Sequence, residues 1–384
     1  MTPPAAPPAP PSAMKNAYVD VDLGALAENV RRVRGALPER VALMMVVKAN
    51  AYGHGTYEVA RRAARAGVGW FAVAHLHEAL EVRRAAPGAE IVVMGVAGAE
   101  DVPALLDARL HALAVSLEQG RALAAAARAA GRTLPVHVKV DTGMGRLGMH
   151  WEDAAGEASG LLEEPGLEVR GLCTHFARVD AGEEDPAREQ YRRFHGVAGA
   201  IEARARRPLF KHVSSSRAAL LHPEWDLDGV RPGIVLYGYG ASSPGGRFVT
   251  RPILEWRTRV MQARRVPARF AVGYYGTYVT PAPTTIAVIG LGYADGYLRA
   301  LSNKAHVLIG GRRCRVVGRV SMNWITVDVG PYANVRQGDE VVLLGRQGNQ
   351  EIWADELAIL CRTIPYEILT GINASIDRRY SGGD

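Results

Sequence analysis

From residue 41 to about 240 the chain alternates two kinds of hydrophobic pattern. Short runs of consecutive Val, Ile, Leu and Ala read as strands buried on both faces. Stretches of Ala, Arg, Glu and Leu, with apolar residues three or four apart, read as amphipathic helices. The strands are expected at 41–48, 70–75, 90–96, 111–116, 135–141, 168–175, 210–214 and 230–237, and helices at 23–37, 57–66, 77–86, 118–130 and 186–206. Strands that alternate with crossover helices make a parallel sheet, and eight such units in roughly 200 residues fit a TIM (β/α)8 barrel, an α/β fold, better than an open doubly wound sheet.

Beyond residue 240 the pattern becomes mainly β. Strands near 252–266, 284–290, 305–309, 314–320, 324–329 and 340–344, turns at Gly310-Gly311 and Gly338-Asp339, and a single helix at 354–362 predict a second domain. The expected organisation is a disordered Pro/Ala-rich tail over 1–15, the barrel over 16–240 and the mainly β C-terminal domain over 241–384, with Ser243-Pro244-Gly245-Gly246 as linker.

Composition narrows the class. A length of 384 residues is comfortable for two cores, and 48% hydrophobic with 22% charged residues is ordinary for a globular protein. No apolar run approaches the roughly 20 residues of a membrane span. The opening Met1-Thr2-Pro3-Pro4-Ala5-Ala6 lacks the basic and apolar regions of a signal peptide, so a cytoplasmic protein is expected. The net charge of +7 raises nucleic acid as a partner. The arginines of Arg31-Arg32-Val33-Arg34 and Arg61-Arg62-Ala63-Ala64-Arg65 are broken by apolar residues at helical spacing, however, which reads as solvated helix faces. Cys173, Cys314 and Cys361 are scattered and show neither a disulfide framework nor metal-ligand spacing, so no metal is expected.

In a TIM barrel the chemistry gathers at the C-terminal ends of the strands. There the sequence places Lys48, His75, Lys139 with Asp141, His175, Ser214-Ser215-Ser216 and Arg231. Lys48 stands out because lysine occurs only at positions 15, 48, 139, 211 and 304, against a total of 46 Lys and Arg. An amine kept where arginine is the habit points to Schiff-base or proton-transfer chemistry, which a guanidinium cannot supply; the plain alternative is a lysine snorkelling to water. The loops after strands seven and eight offer Ser214-Ser215-Ser216 and Pro232-Gly233-Ile234, suited to a phosphate or simply to a helix cap and a turn. An amine facing a phosphate site points to pyridoxal 5'-phosphate. On strand five His137, Lys139 and Asp141 share one face, so that a buried Lys139–Asp141 pair is the plain expectation and a desolvated, modifiable Lys139 the alternative. Thr142-Gly143-Met144-Gly145-Arg146-Leu147-Gly148 then presents one arginine on a glycine-rich loop, without a dinucleotide fingerprint.

Val47-Lys48-Ala49-Asn50-Ala51-Tyr52-Gly53-His54-Gly55 resembles the pyridoxal-phosphate attachment segment of alanine racemases. So do Val140-Asp141-Thr142-Gly143-Met144-Gly145-Arg146-Leu147-Gly148, Thr174-His175-Phe176, Arg231-Pro232-Gly233, Gly273-Tyr274, Gly292-Tyr293-Ala294-Asp295-Gly296 and Pro365-Tyr366-Glu367, in family order over residues 16–380. The resemblance implies a homodimeric isomerase that interconverts L- and D-alanine for cell-wall peptidoglycan, with active sites shared between two chains. By position it implies that Lys48 carries the cofactor and serves as one base, with Tyr274 of the other chain as the opposite base. Tyr52, Ser216, Gly233, Ile234 and Tyr366 would hold the phosphate, Arg231 would face the pyridine nitrogen, and His175 would be a cofactor-side neighbour. Arg146, the Met322 amide and Tyr293 would contact the substrate, and Lys139 would be carbamylated. Racemisation has to take a proton from one face of Cα and return one to the other, which two opposed groups accomplish most simply. Arginine at the ring nitrogen gives up no proton, so it limits how much charge the ring can absorb.

Two positions depart from the family pattern: Ser215-Ser216-Arg217, where an Asn usually precedes and an Ala follows the serine, and Met322-Asn323, where Met-Asp is usual. The second leaves room for a racemase of wider substrate range. A barrel-type amino-acid decarboxylase would need a Cys-Glu-Ser-Gly-Asp-like segment, which is missing here. A non-catalytic pyridoxal-phosphate carrier would end near residue 240.

Overall fold

The computed structural model describes residues 17–181, 185–240, 246–331 and 334–383. The expected tail and all but the last residue of the expected linker lie outside them. The chain divides into two compact units: residues 22–253 with the last residues from 382, and residues up to Val21 with Leu254–Ser381.

The first unit is a closed parallel barrel. Its strands are Ala42–Val46, Trp70–Val73, Glu90–Val93, His111–Ala114, Leu134–Asp141, Leu167–Cys173, Phe210–Ser215 and Gly229–Arg231. Each pairs with the next in parallel, and the ring shuts where Gly229 and Val230 of the eighth lie beside Ala42 and Leu43 of the first. Helices Thr56–Arg65, Leu76–Ala85, Leu117–Ala129 and Ala187–Ala205 follow the expected pattern. Val102–Asp107, Ala154–Leu162 and Ser216–Leu221 had no clear signal, because the two six-residue helices are too short to establish a period and the middle one carries Gly156, Ser159 and Gly160.

The eighth strand was expected to run to 237 but ends at Arg231. Pro232 has no N–H with which to continue the ladder, and a turn begins beyond it, with Leu236 N–H donating to Gly233 O at 2.8 Å. Among the described residues of this unit no helix follows that strand. The N-terminal helix Leu23–Gly35, capped by the Asp22 carboxylate on Ala25 N–H at 2.8 Å, is fastened there instead. Its fully buried Asn29 donates to Leu236 O (3.0 Å) and Arg251 O (2.8 Å) and accepts from Arg251 N–H (3.1 Å).

The second unit is built on a nine-stranded sheet around the long strand Leu254–Val266, which pairs antiparallel with Thr284–Ile289 and Glu340–Gln347. Tyr18–Asp22, expected with the barrel, pairs antiparallel with Leu254–Val266. Its alternating burial marks it as a strand but carries no information about its partner. A second helix, Pro365–Thr370, follows the expected one at Ala354–Cys361.

Candidate active site

The first barrel strand ends one residue before Val47, and Lys48 begins an unusual turn. Ala49, Asn50, Ala51 and Tyr52 all have left-handed backbone, with φ between 50° and 55°. L-residues pay roughly 1–2 kcal/mol each for this conformation. The turn is held from several sides. Glu78, buried on the helix after the second strand, accepts from Ala49 N–H (2.6 Å), Ala74 N–H (2.8 Å) and His75 N–H (3.0 Å). The Asn50 side chain accepts from Thr56 N–H at 3.1 Å, and Tyr237 donates to Val46 O at 3.0 Å while its ring packs 4.9 Å from Tyr52 and 4.6 Å from His54. Lys48 itself stays accessible to solvent, yet the surrounding protein lowers its pKa, chiefly by desolvation and then through the Arg146 guanidinium, with Glu78 opposing. A free amine is therefore easier to reach here than on an ordinary surface lysine.

At the ends of strands seven and eight three donors converge. Gly233 N–H lies 2.9 Å from Ser216 Oγ, and a Cβ built on Gly233 would lie 2.5 Å from the Tyr52 hydroxyl. Any side chain at 233 would fill this cradle, so glycine keeps it open. Two hydroxyls and a backbone amide fit the phosphate end of a cofactor. Ile234, buried, starts the turn that follows. Of the three serines expected here, Ser214 is turned away and donates to Trp225 O at 2.8 Å.

Arg231 is 3% exposed and tightly framed. Its Nη2 donates to Thr174 O (2.8 Å) and Val213 O (2.9 Å), and its Nη1 donates to His212 O and to His212 Nδ1 (2.9 Å). His175 Nδ1 lies 3.4 Å from Nη2. Burial, and then Arg231, push the His175 pKa down to about 3, so His175 is neutral. It therefore presents an uncharged ring beside the Arg231 guanidinium.

On strand five the expected Lys139–Asp141 pair does not form among the described contacts. Asp141 accepts from the amides of Gly143 (3.0 Å), Met144 (2.8 Å), Gly145 (3.2 Å) and Arg146 (3.1 Å). Burial alone would raise its pKa, but these donors outweigh it and hold the carboxyl below its usual value. The carboxylate thus folds the glycine-rich loop and sets Arg146 out in solvent. Lys139, 6% exposed, donates to Val140 O at 3.2 Å and forms no ion pair among the described residues; desolvation lowers its pKa, against the opposing charge interactions with Cys173 and Asp141.

In the second unit Tyr274, Tyr293 and Met322 line a single pocket of about 440 Å³, together with Tyr275, Arg299, Val320 and Ser321. Tyr293 N–H donates to Ser321 O at 3.0 Å, and a Cβ at Gly292 would collide with that carbonyl, 2.1 Å away. Tyr274 is 67% and Tyr293 42% exposed. Tyr366 stands apart in the sequence on Pro365–Thr370, 38% exposed.

Comparison with known proteins resolves the resemblance. The alanine racemase N-terminal domain model matches residues 21–241 and the C-terminal domain model residues 253–380. The chain belongs to the alanine racemase family. It is 39% identical over 379 residues to the alanine racemase of Desulfosudis oleivorans, covering 96% of this chain and 97% of that one. The alanine racemase structure from Streptomyces coelicolor superposes with a TM-score of 0.89 at 36% identity, over 96% of this chain and 99% of that one. That from Bartonella henselae, described with covalently bound pyridoxal phosphate, gives 0.84 at 26% identity, over 95% and 99%.

Within this alanine racemase fold several site residues were not anticipated. Glu78 had a usable signal, since an acid three residues after the cap position His75 is a helix-start pattern. His212 had a weaker one, a polar residue inside an otherwise apolar strand, while Tyr275, Arg299 and Ser321 had none.

Proposed function

We propose that this chain interconverts L- and D-alanine with pyridoxal 5'-phosphate, supplying D-alanine for peptidoglycan, and that it works in the cytoplasm as a homodimer. The observation that carries the reading is the joint placement of the strand-end Lys48, the Ser216–Gly233–Tyr52 cradle and the buried Arg231 around one mouth of the barrel. When bound, pyridoxal phosphate would acidify the Cα–H of an attached amino acid. Lys48 holds the cofactor aldehyde and moves a proton at one face of Cα; Tyr274 of the partner chain moves one at the other. Ser216, Gly233 and Tyr52, with Ile234 and Tyr366, bind phosphate oxygens. Arg231 presents a fixed positive charge at the ring nitrogen and releases no proton to it. Arg146, Tyr293 and Met322 orient the substrate, and carbamylation of Lys139 would give Arg146 an anionic partner. His175 contributes a neutral imidazole next to Arg231.

Purified protein should be yellow and should racemise alanine only with the coenzyme, and faster than serine, lysine or arginine. Comparable rates with the larger substrates would replace alanine specificity by a wider range, for which Asn323 is the sequence motive. In Lys48→Ala the borohydride-reducible adduct should vanish. Its survival on another lysine would remove Lys48 from its role.

A further inference from the structure

Inside the barrel, four hydrogen bonds run in series from one mouth to the other. Arg231 Nη1 contacts His212 Nδ1 (2.9 Å), His212 Nε2 contacts His137 Nδ1 (2.9 Å), His137 Nε2 contacts His111 Nδ1 (3.0 Å), and His111 Nε2 contacts Glu90 Oε2 (2.8 Å). The three imidazoles are 0–2% exposed, whereas the Glu90 side chain, at the start of the third strand, is 45% exposed. Room is made for the chain: a Cβ on Gly171 of the intervening strand would sit 2.3 Å from His137 Nδ1. Trp70 and Phe210, stacked at 4.8 Å, pack against the rings.

The donor order follows from chemistry alone. A guanidinium only donates, so His212 Nδ1 accepts and its Nε2–H donates; the same step repeats at His137 and His111, and the last N–H needs an acceptor. Glu90 is that acceptor. Burial holds His137 and His212 well below the ordinary imidazole value and also lowers His111, against the pull of Glu90, so one proton per ring is available. Because Arg231 cannot accept a proton, the chain orders protons and does not conduct them. Among the described residues Arg231 has no direct carboxylate partner, and the series gives it one at a distance.

We propose that Glu90 is a positioning residue for the racemase reaction, acting through His111, His137 and His212 to fix the orientation of Arg231. This rests on the assignment of Arg231 to the cofactor's ring nitrogen. The test uses the 15N-histidine-labelled holoenzyme, whose nitrogen shifts separate protonated from bare ring nitrogens. In the wild type, all three rings should carry the proton on Nε2. Glu90→Lys puts a donor against a donor and should disturb this pattern as far as His212, shift the coenzyme absorption band, and lower kcat by about tenfold or more with KM changed little, the scale seen on removing a partner that orients a ligand. Glu90→Gln, whose carbonyl still accepts, should restore both pattern and rate. Unchanged tautomers in Glu90→Lys and Glu90→Ala, or altered tautomers with unchanged kcat and spectrum, would overturn the proposal. Arg231→Ala serves as the control: if it leaves rate and spectrum intact, the ring-nitrogen assignment falls instead, and the tautomers still report whether Glu90 orders the chain.

Discussion

At the scale of single residues, burial and hydrogen bonding decide which groups can exchange protons. His137 and His212 are buried as neutral rings with pKa values well below 6.5. Both folded and unfolded forms are neutral above that value, so the rings leave stability unchanged there. Below it the unfolded chain takes up protons that the folded barrel refuses, and stability falls with pH by about 1.4 kcal/mol per pH unit for each such ring. The melting midpoint should therefore drop on going from pH 7 to 5.5; a flat or rising midpoint would show that the rings are charged in the fold. Tyr274 makes a different demand. If it and Lys48 serve opposite faces, Tyr274→Phe should lose about 10²–10⁴-fold in racemisation in both directions. Exchange of the Cα proton with deuterated solvent should survive for one enantiomer only. Equal residual exchange for both would point to one base reaching both faces.

At the scale of elements, the left-handed turn after Lys48 combines strain with function. Ala49 is exposed at φ 53°, so Ala49→Gly relieves strain without opening a cavity. It should raise stability by about 0.5–1 kcal/mol, the relief being partly offset by the freer unfolded chain. It should also lower kcat severalfold, since Lys48 would be less firmly placed. A loss of stability would mean that the turn is not strained. This turn was invisible in the sequence: Lys48-Ala49-Asn50-Ala51-Tyr52 has one residue, Asn50, that favours αL, and the conformation is imposed by Glu78, Thr56 and Tyr237 from elsewhere. The long strands and helices were legible because their period is local, with expected and observed ends differing by one to three residues for most. The eighth strand was overextended because apolar Ile234-Val235-Leu236-Tyr237 reads as strand even though Pro232 and Gly233 turn the chain. Asp141 was assigned the wrong partner because spacing along a strand reports a shared face and not which donors reach it.

At the scale of the whole molecule, residues on the same barrel mouth were recognisable because the C-terminal ends of eight parallel strands must cluster, whichever helices intervene. The partner of Tyr18–Asp22 and the course of the histidine series were not, since both depend on which strands become neighbours. The same limit applies to assembly. Lys48 belongs to the barrel unit, whereas Tyr274, Tyr293 and Met322 line a pocket of the other unit with Tyr274 largely exposed. Tyrosine is enriched at protein interfaces, and a pocket rimmed by exposed tyrosines suits a contact surface. If two chains complete each other's sites, Lys48→Ala and Tyr274→Phe are each close to inactive for different reasons, one lacking the cofactor's amine and the other the opposing base. A hybrid dimer then contains one site with both defects and one with neither. Random exchange of equal amounts yields half hybrids, each with one of two sites intact, so the mixture should recover about a quarter of wild-type activity. The gain should grow with incubation time as subunits exchange. Mixtures that stay at the level of the separate variants after exchange has been verified by mass, or full activity in a verified monomer, would show that each chain builds its site alone.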